Sequence, residues 1–297
     1  MQSPMLRIDI DPSSGFCTGV KRAVNLAEKY LSENGELFCL GEFIHNDAEM
    51  KRLEALGMKV IDRSQIGPGA GNVFVRAHGE PPETFKKIEE ADIRLIDATC
   101  PVVSRLQNRV KRSSQQLHEL GKGKVIIFGK PGHSEVIGLL GQTSENALVI
   151  SRVEEGQTLN VKEPLHIFAQ TTANQEAFRD FCDLVKSEAL LQTGSDDHIV
   201  ITNSICSQVS RRAPALREFA REHDIVIFVR GINSSNGRYL AGVAREVNPR
   251  THVVSHANEV GDWFKADDHI GISGATSTPL WQMQQVADHI QQRFISK

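Results

Sequence analysis

The chain has 297 residues, which at roughly 150 residues per domain predicts two domains. Hydrophobic residues make up 40% and charged residues 24%, a balance that builds a core and excludes a disordered chain. The formal net charge is −3 and no basic run stands out, which excludes a protein living on the phosphate backbone of nucleic acid.

No apolar stretch approaches 18 residues, so no membrane span is expected. The opening residues carry Asp9 and Asp11 and no apolar secretory segment. Five cysteines, an odd number, do not make a disulfide scaffold. A reducing cytoplasm is the expected compartment, where a special cysteine is a ligand or a nucleophile.

The first predicted strand is Leu6–Ile10, and the stripe Val20, Ala23, Val24, Ala27, Leu31 predicts a helix after it. Further strands are predicted at Val73–Arg76, Arg94–Asp97, Val125–Phe128, Ile167–Ala169 and Ile199–Thr202. Ile225–Val229, His252–Val254 and Ile270–Ser273 follow, and Leu280, Met283, Val286, Ile290 and Phe294 stripe a last helix. The strands are nearly continuous apolar runs, as in parallel strands covered on both faces. Alternation of such strands with helices predicts an α/β fold of βαβ units. Almost every strand runs into a loop with ionisable or hydrogen-bonding side chains, where open α/β sheets bind ligands. No Gly-x-Gly-x-x-Gly follows any strand, so a built-in nicotinamide site is not expected.

Three cysteines share one local frame. Cys17, Cys100 and Cys206 each begin Cys-x-x-Val, after an apolar strand and before a helical pattern with basic residues. Intervals of 83 and 106 residues, with 91 remaining, change the count from two domains to three modules of one kind. Their boundaries are expected at 17–99, 100–203 and 204–297, with 1–16 adding a strand to the third, beside Ile270–Ser273. A cysteine at a helix N-terminus is biased toward the thiolate. Thiolates bind iron–sulfur clusters and zinc alike. Three converging thiolates on a [4Fe–4S] cluster would leave one iron open to substrate. Cys39 and Cys182 read as small packing residues.

Nine motifs stand in one order along the chain. They are Gly-Phe-Cys17-x-Gly-Val, His45-Asn46, Ala-His78-Gly, Asp-Ala-Thr-Cys100-Pro, Gly-His133-x-Glu135-Val, Gln-Thr171-Thr172, Ile-Cys206, Ser234-Ser235-Asn236 and Gly-Ala-Thr-Ser277. In this the chain resembles, over essentially its whole length, the LytB family, the 4-hydroxy-3-methylbut-2-enyl diphosphate reductases of the methylerythritol phosphate route to isoprenoids. The resemblance implies a trefoil of three pseudo-threefold-related α/β modules with mainly parallel sheets. At its centre it implies one [4Fe–4S] cluster per chain, on Cys17, Cys100 and Cys206. It also implies a diphosphate pocket of His45, His78, His133, Ser234, Ser235, Asn236 and Ser277. Glu135 then matches the family's proton-delivering acid, with Thr171 beside it at the substrate. His133 counts twice in what the resemblance implies, as a pocket residue and, with Glu135 and Thr171, as a catalytic one. The implied reaction is reductive dehydroxylation to isopentenyl and dimethylallyl diphosphates, with electrons from an external carrier such as ferredoxin or flavodoxin.

The chain departs from the family pattern at Ser14, Ser134, Ser210 to Arg212 and Gly237, none of them a proposed ligand or acid. Two other functions compete on the residues alone. A zinc hydrolase would use the cysteines with a histidine, though the chain lacks the Cys-x-x-Cys pairs of zinc ribbons. A non-catalytic phospho-ligand module would use only the strand-end donors.

Overall fold

The computed structural model of the chain describes residues 7–67, 71–265 and 267–295. Leu6 of the first predicted strand, and the outermost residues of segments 1–16 and 204–297, lie outside them.

In chain order, β1 (Arg7–Ile10) and α1 (Thr18–Asn34) lead to β2 (Leu37–Leu40), α2 (Asp47–Ala55) and β3 (Met58–Ile61). Next come β4 (Val73–Val75), α3 (Pro82–Glu90), β5 (Leu95–Asp97) and α4 (Pro101–Glu119). The middle of the chain forms β6 (Lys124–Phe128), α5 (Ser134–Leu140), β7 (Ala147–Ile150), β8 (Leu165–Ala169), α6 (Gln175–Thr193) and β9 (Ile199–Thr202). The last third forms α7 (Ser207–Ser210), α8 (Arg212–Arg221), β10 (Ile225–Val229), α9 (Ser235–Val247), β11 (Thr251–Val254), β12 (His269–Gly274) and α10 (Leu280–Ile295).

Three four-stranded sheets result, with orders β3-β2-β4-β5, β7-β6-β8-β9 and β11-β10-β12-β1. Counted along each module, the order is the same every time: second, first, third, fourth. The fourth strand of the last sheet is the N-terminal β1, which runs parallel to β12 with Ile8 opposite Ile270. That is the closure the sequence predicts for this strand. The chain divides into two compact units. One comprises the chain up to Leu37, Gly41–Val60 and everything from Ser207; the other comprises Phe38–Leu40 and Ile61–Cys206.

The central strands explain the continuous apolar runs. In β10, Ile225, Ile227 and Val229 face Met283, Val286 and Ile290 of α10. Val226 and Phe228, on the other face, meet Leu216 of α8 and Leu240 and Ala244 of α9. Similarly, β6 sends Val125 and Ile127 to Leu106, Val110 and Leu117 of α4, and Ile126 and Phe128 to Phe178 and Phe181 of α6. Successive strand side chains alternate faces, so a strand with helices on both sides must be apolar throughout. Each such side chain contributes about 1.5–3 kcal/mol on full burial.

Some expectations need correction. The sequence reading has no strand at β2, β3 or β7. The last two are edge strands with part of their side chains exposed, and their short runs carry a weak signal. Leu280 heads the predicted stripe of the last helix yet is 64% exposed, because it lies in the first turn, before the helix meets the sheet. The helical pattern expected after Cys206 is interrupted: a single turn, α7, comes first. Pro214 has no N–H for the Ser210 carbonyl, and its ring crowds that carbonyl, so the chain breaks there and restarts as α8.

Candidate active site

In a sheet of order 2-1-3-4, the first and third strands are neighbours whose connections leave in opposite directions. Their carboxyl ends therefore open a crevice. Every site residue predicted outside the cysteine frames follows one of these two strands. In the first module His45 follows β2 and His78 follows β4. In the second His133 and Glu135 follow β6, and Thr171 follows β8. In the third Ser234, Ser235 and Asn236 follow β10, and Ser277 follows β12.

The cysteines follow the fourth strands, and each is tied to the loop after the third strand of the sheet it follows. Cys17 N–H donates to Thr276 O (3.4 Å), Cys100 N–H to Ala77 O (3.0 Å) and Cys206 N–H to Thr171 O (2.9 Å). One hydrogen bond, repeated three times, holds the three thiols in equivalent places. Cys17 and Cys100 are the N-caps of α1 and α4, and neither side chain caps its helix. All five cysteines are outside disulfides; the three framed ones are half-buried, whereas Cys39 and Cys182 are buried. Burial pushes the thiols of Cys39 and Cys182 up to about 12, which keeps both protonated. Only the framed set combines partial exposure with a place at a helix N-terminus, the donor chemistry that a thiolate-bound metal group requires.

Glu135 is 1% exposed at the start of α5. Its two carboxyl oxygens accept from the Thr171 backbone N–H and the Thr171 hydroxyl, each at 2.7 Å. Burial raises its pKa against the opposing pull of those two bonds, so the acid holds its proton to higher pH than a solvated glutamate. Thr171 is thus hydrogen-bonded to Glu135 through its N–H and hydroxyl and to Cys206 through its carbonyl. The loops themselves are pinned: Ser204 Oγ accepts from Ala169 N–H and donates to Ala169 O, and Gln170 Oε1 accepts from Lys130 N–H.

His133 caps α5, its Nδ1 accepting from Glu135 N–H at 3.2 Å. An accepting Nδ1 puts the proton of the neutral ring on Nε2, which makes that nitrogen a donor. The His78 ring lies edge-on to His133, with centroids 5.3 Å apart.

In the other unit, Ser234 caps α9 by accepting from Gly237 N–H, and its hydroxyl lies 3.4 Å from that of Ser277. Ser277 Oγ also donates to the His45 carbonyl at 3.3 Å. Asn236 Oδ1 accepts from the Thr276 hydroxyl (3.2 Å), and His45 Nδ1 pairs with Glu42 Oε2 at 2.9 Å. Gly231 lets this loop approach closely, since a Cβ there would sit 2.4 Å from His45 O. Ser235 lies beside these groups as the first residue of α9. Sequence reasoning missed Glu42, Gln170, Ser204 and Gly231. They act through loop geometry, and only the spacing of Glu42 three residues before His45 carries a hint.

Among the described residues, no helix is long and apolar enough to cross a membrane. The family model described as "LytB protein" matches residues 8–291. A Porphyromonas gingivalis protein named 4-hydroxy-3-methylbut-2-enyl diphosphate reductase is 42% identical over 290 residues, covering 96% of this chain and 99% of its own. The protein of that name from Bacteroides thetaiotaomicron is 40% identical over 289 residues, covering 97% and 98%. A solved structure of (E)-4-hydroxy-3-methyl-but-2-enyl diphosphate reductase, described as the terminal enzyme of the non-mevalonate pathway, superposes with a TM-score of 0.73 at 35% identity. The match covers 97% of this chain and 100% of that one. A Plasmodium falciparum reductase structure shares the fold, with a TM-score of 0.79 at 24% identity over 96% of this chain and 87% of that one. With the match spanning nearly its whole length, this chain belongs to the LytB family.

Proposed function

We propose that the chain reduces (E)-4-hydroxy-3-methylbut-2-enyl diphosphate to isopentenyl and dimethylallyl diphosphates, the last step of the methylerythritol phosphate route. The reaction takes two electrons and two protons and releases the hydroxyl as water. The chain is an iron–sulfur oxidoreductase of its family. The observation that carries the reading is the buried Glu135, held by Thr171, whose carbonyl in turn takes the Cys206 N–H. Such an arrangement joins a proton source to a metal-capable thiol through one residue.

Cys17, Cys100 and Cys206 would hold one [4Fe–4S] cluster. When bound, that group supplies electrons one at a time and an open iron position for the substrate hydroxyl. The chain's own residues do the rest. Glu135 delivers the proton that lets the hydroxyl leave as water, with Thr171 orienting the carboxyl and relaying the proton. His133, through its Nε2–H, and His78 and His45 donate to the diphosphate. Ser234, Ser235, Asn236 and Ser277 add hydroxyl, amide and helix N-terminal donors. A pocket of this kind binds an anion without an overall basic protein.

The three modules divide at 17–99, 100–203 and 204–297, with 1–16 completing the third. A separate redox protein supplies the electrons, ferredoxin or flavodoxin being the class, and the compartment is the cytoplasm. The zinc-hydrolase and phospho-ligand-module readings gain nothing from the family match. Anaerobic purification with iron and sulfide analysis, followed by a dithionite and viologen reductase assay on the diphosphate substrate, tests the function. Iron, sulfide and substrate-dependent dye oxidation are expected; a colourless, iron-free protein after anaerobic reconstitution overturns it.

A further inference from the structure

A second cluster of metal-capable side chains lies on the third sheet, on β1, β12 and the turn after α8. Asp9 Oδ2 is 2.7 Å from His269 Nε2 and 3.4 Å from His223 Nε2. The three ligand atoms all lie within 4.8 Å of one another. We propose that Asp9, His223 and His269 form a binding site for a divalent transition metal, zinc being the class it fits.

The decisive residue is His223. It is 7% exposed, and its Nδ1 lies 2.7 Å from the Phe219 carbonyl. A carbonyl can only accept, so Nδ1 carries the proton and the neutral ring presents a bare lone pair at Nε2. In the neutral ring that buried nitrogen has no hydrogen-bond donor to accept from: its polar neighbour is the Asp9 carboxylate oxygen at 3.4 Å, which pairs with it only when the ring is protonated. Metal-binding histidines have this arrangement, one ring nitrogen donating to a backbone carbonyl while the other ligates. The ring also occupies a built place. Gly271 of β12 lies beneath it, and a Cβ there would come within 2.8 Å of the His223 ring.

The other two ligands are equally well placed. Asp224 accepts from His269 N–H at 2.8 Å and donates its own N–H to His269 O, fixing the start of β12. The Asp9 side chain is 57% exposed, so an ion and its remaining water ligands have an open approach. With metal–ligand bonds of about 2.0–2.1 Å, a tetrahedral site separates its ligand atoms by about 3.3–3.4 Å. The Asp9–His223 separation already matches. The Asp9–His269 separation is that of a hydrogen bond, which opens by about 0.6 Å on a small turn of the exposed carboxylate when the ion replaces the proton. Two imidazoles and a carboxylate, with room for water, are borderline ligands that suit zinc better than calcium or magnesium. The site would clamp the N-terminal strand to β12 and to the end of α8, away from the cysteine frames.

The test titrates the anaerobically purified, cluster-loaded protein with zinc chloride, by calorimetry and by thermal unfolding. The wild type should bind one zinc per chain, and H269Q and D9N should bind it at least tenfold more weakly, with iron content the same in all three. Zinc a hundredfold above its dissociation constant should raise the wild-type melting temperature by about 4 °C. It should move H269Q and D9N by no more than about half as much, each compared with itself so that its own stability does not enter. Equal zinc binding by the three proteins, or none by the wild type, overturns the site.

Discussion

Replacing Glu135 by glutamine removes an ionisable proton and little else. The amide has the same size, its oxygen can accept the Thr171 N–H, and its nitrogen can donate to a rotated Thr171 hydroxyl. In the wild type, burial outweighs the two hydrogen bonds and raises the folded carboxyl above its ordinary value of 4.5. The folded chain therefore binds this proton more tightly than the unfolded chain. Stability from this site is fully present below about pH 4.5 and is lost as pH rises through the folded value. Each unit of separation corresponds to about 1.4 kcal/mol. E135Q lacks that slope, so the urea midpoint of the wild type should fall relative to E135Q as pH rises. A positioned general acid contributes about 10²–10⁴-fold, which is about 2.7–5.4 kcal/mol of barrier. The dithionite and viologen assay should show kcat reduced by that factor, with iron content unchanged. Turnover within threefold of wild type refutes Glu135 as the proton donor. A midpoint difference that does not change with pH refutes a carboxyl dominated by burial.

Thr171→Val keeps the shape but leaves Glu135 Oε2 without its 2.7 Å donor, at a cost of about 1–3 kcal/mol in urea unfolding. The same change raises the Glu135 pKa further and moves the alkaline limb of the pH–rate profile upward; unchanged stability and profile refute the contact. Cys17→Ser, Cys100→Ser and Cys206→Ser should each lower iron per chain after anaerobic reconstitution, whereas Cys182→Ala should not. Equal iron in C100S and C182A refutes the ligand set. In Gly231→Ala the new Cβ meets the backbone at His45 and Asn46, which costs about 1–3 kcal/mol. Because the His45 loop moves, KM for the diphosphate should rise more than kcat falls; an unchanged melting temperature refutes the close approach.

The central strands were legible because a strand covered on both faces is apolar at every position, as β10 is. Edge strands such as β3 have no such requirement and leave a weak trace. The Cys-x-x-Val frames were legible because a helix must begin where its strand ends, and Cys17 and Cys100 do cap helices. In the third frame Pro214, four residues past Ser210, splits the helical pattern into α7 and α8. The His223 cluster was passed over because residues 9, 223 and 269 come from three elements far apart in sequence.

Residue order alone determined the alternation of strands and helices, the three cysteine frames and the chemistry available at each strand end. These are local properties, set by side-chain period, capping and polarity within a few residues. Tertiary structure alone decided that all three sheets share one strand order. It also decided that each framed cysteine donates its N–H to the loop after the third strand, and that Glu135 loses solvent against Thr171, 36 residues away. The reason is physical. Burial and long-range hydrogen bonds depend on which loops the sheets bring together, and a carboxyl's affinity for its proton follows from that environment.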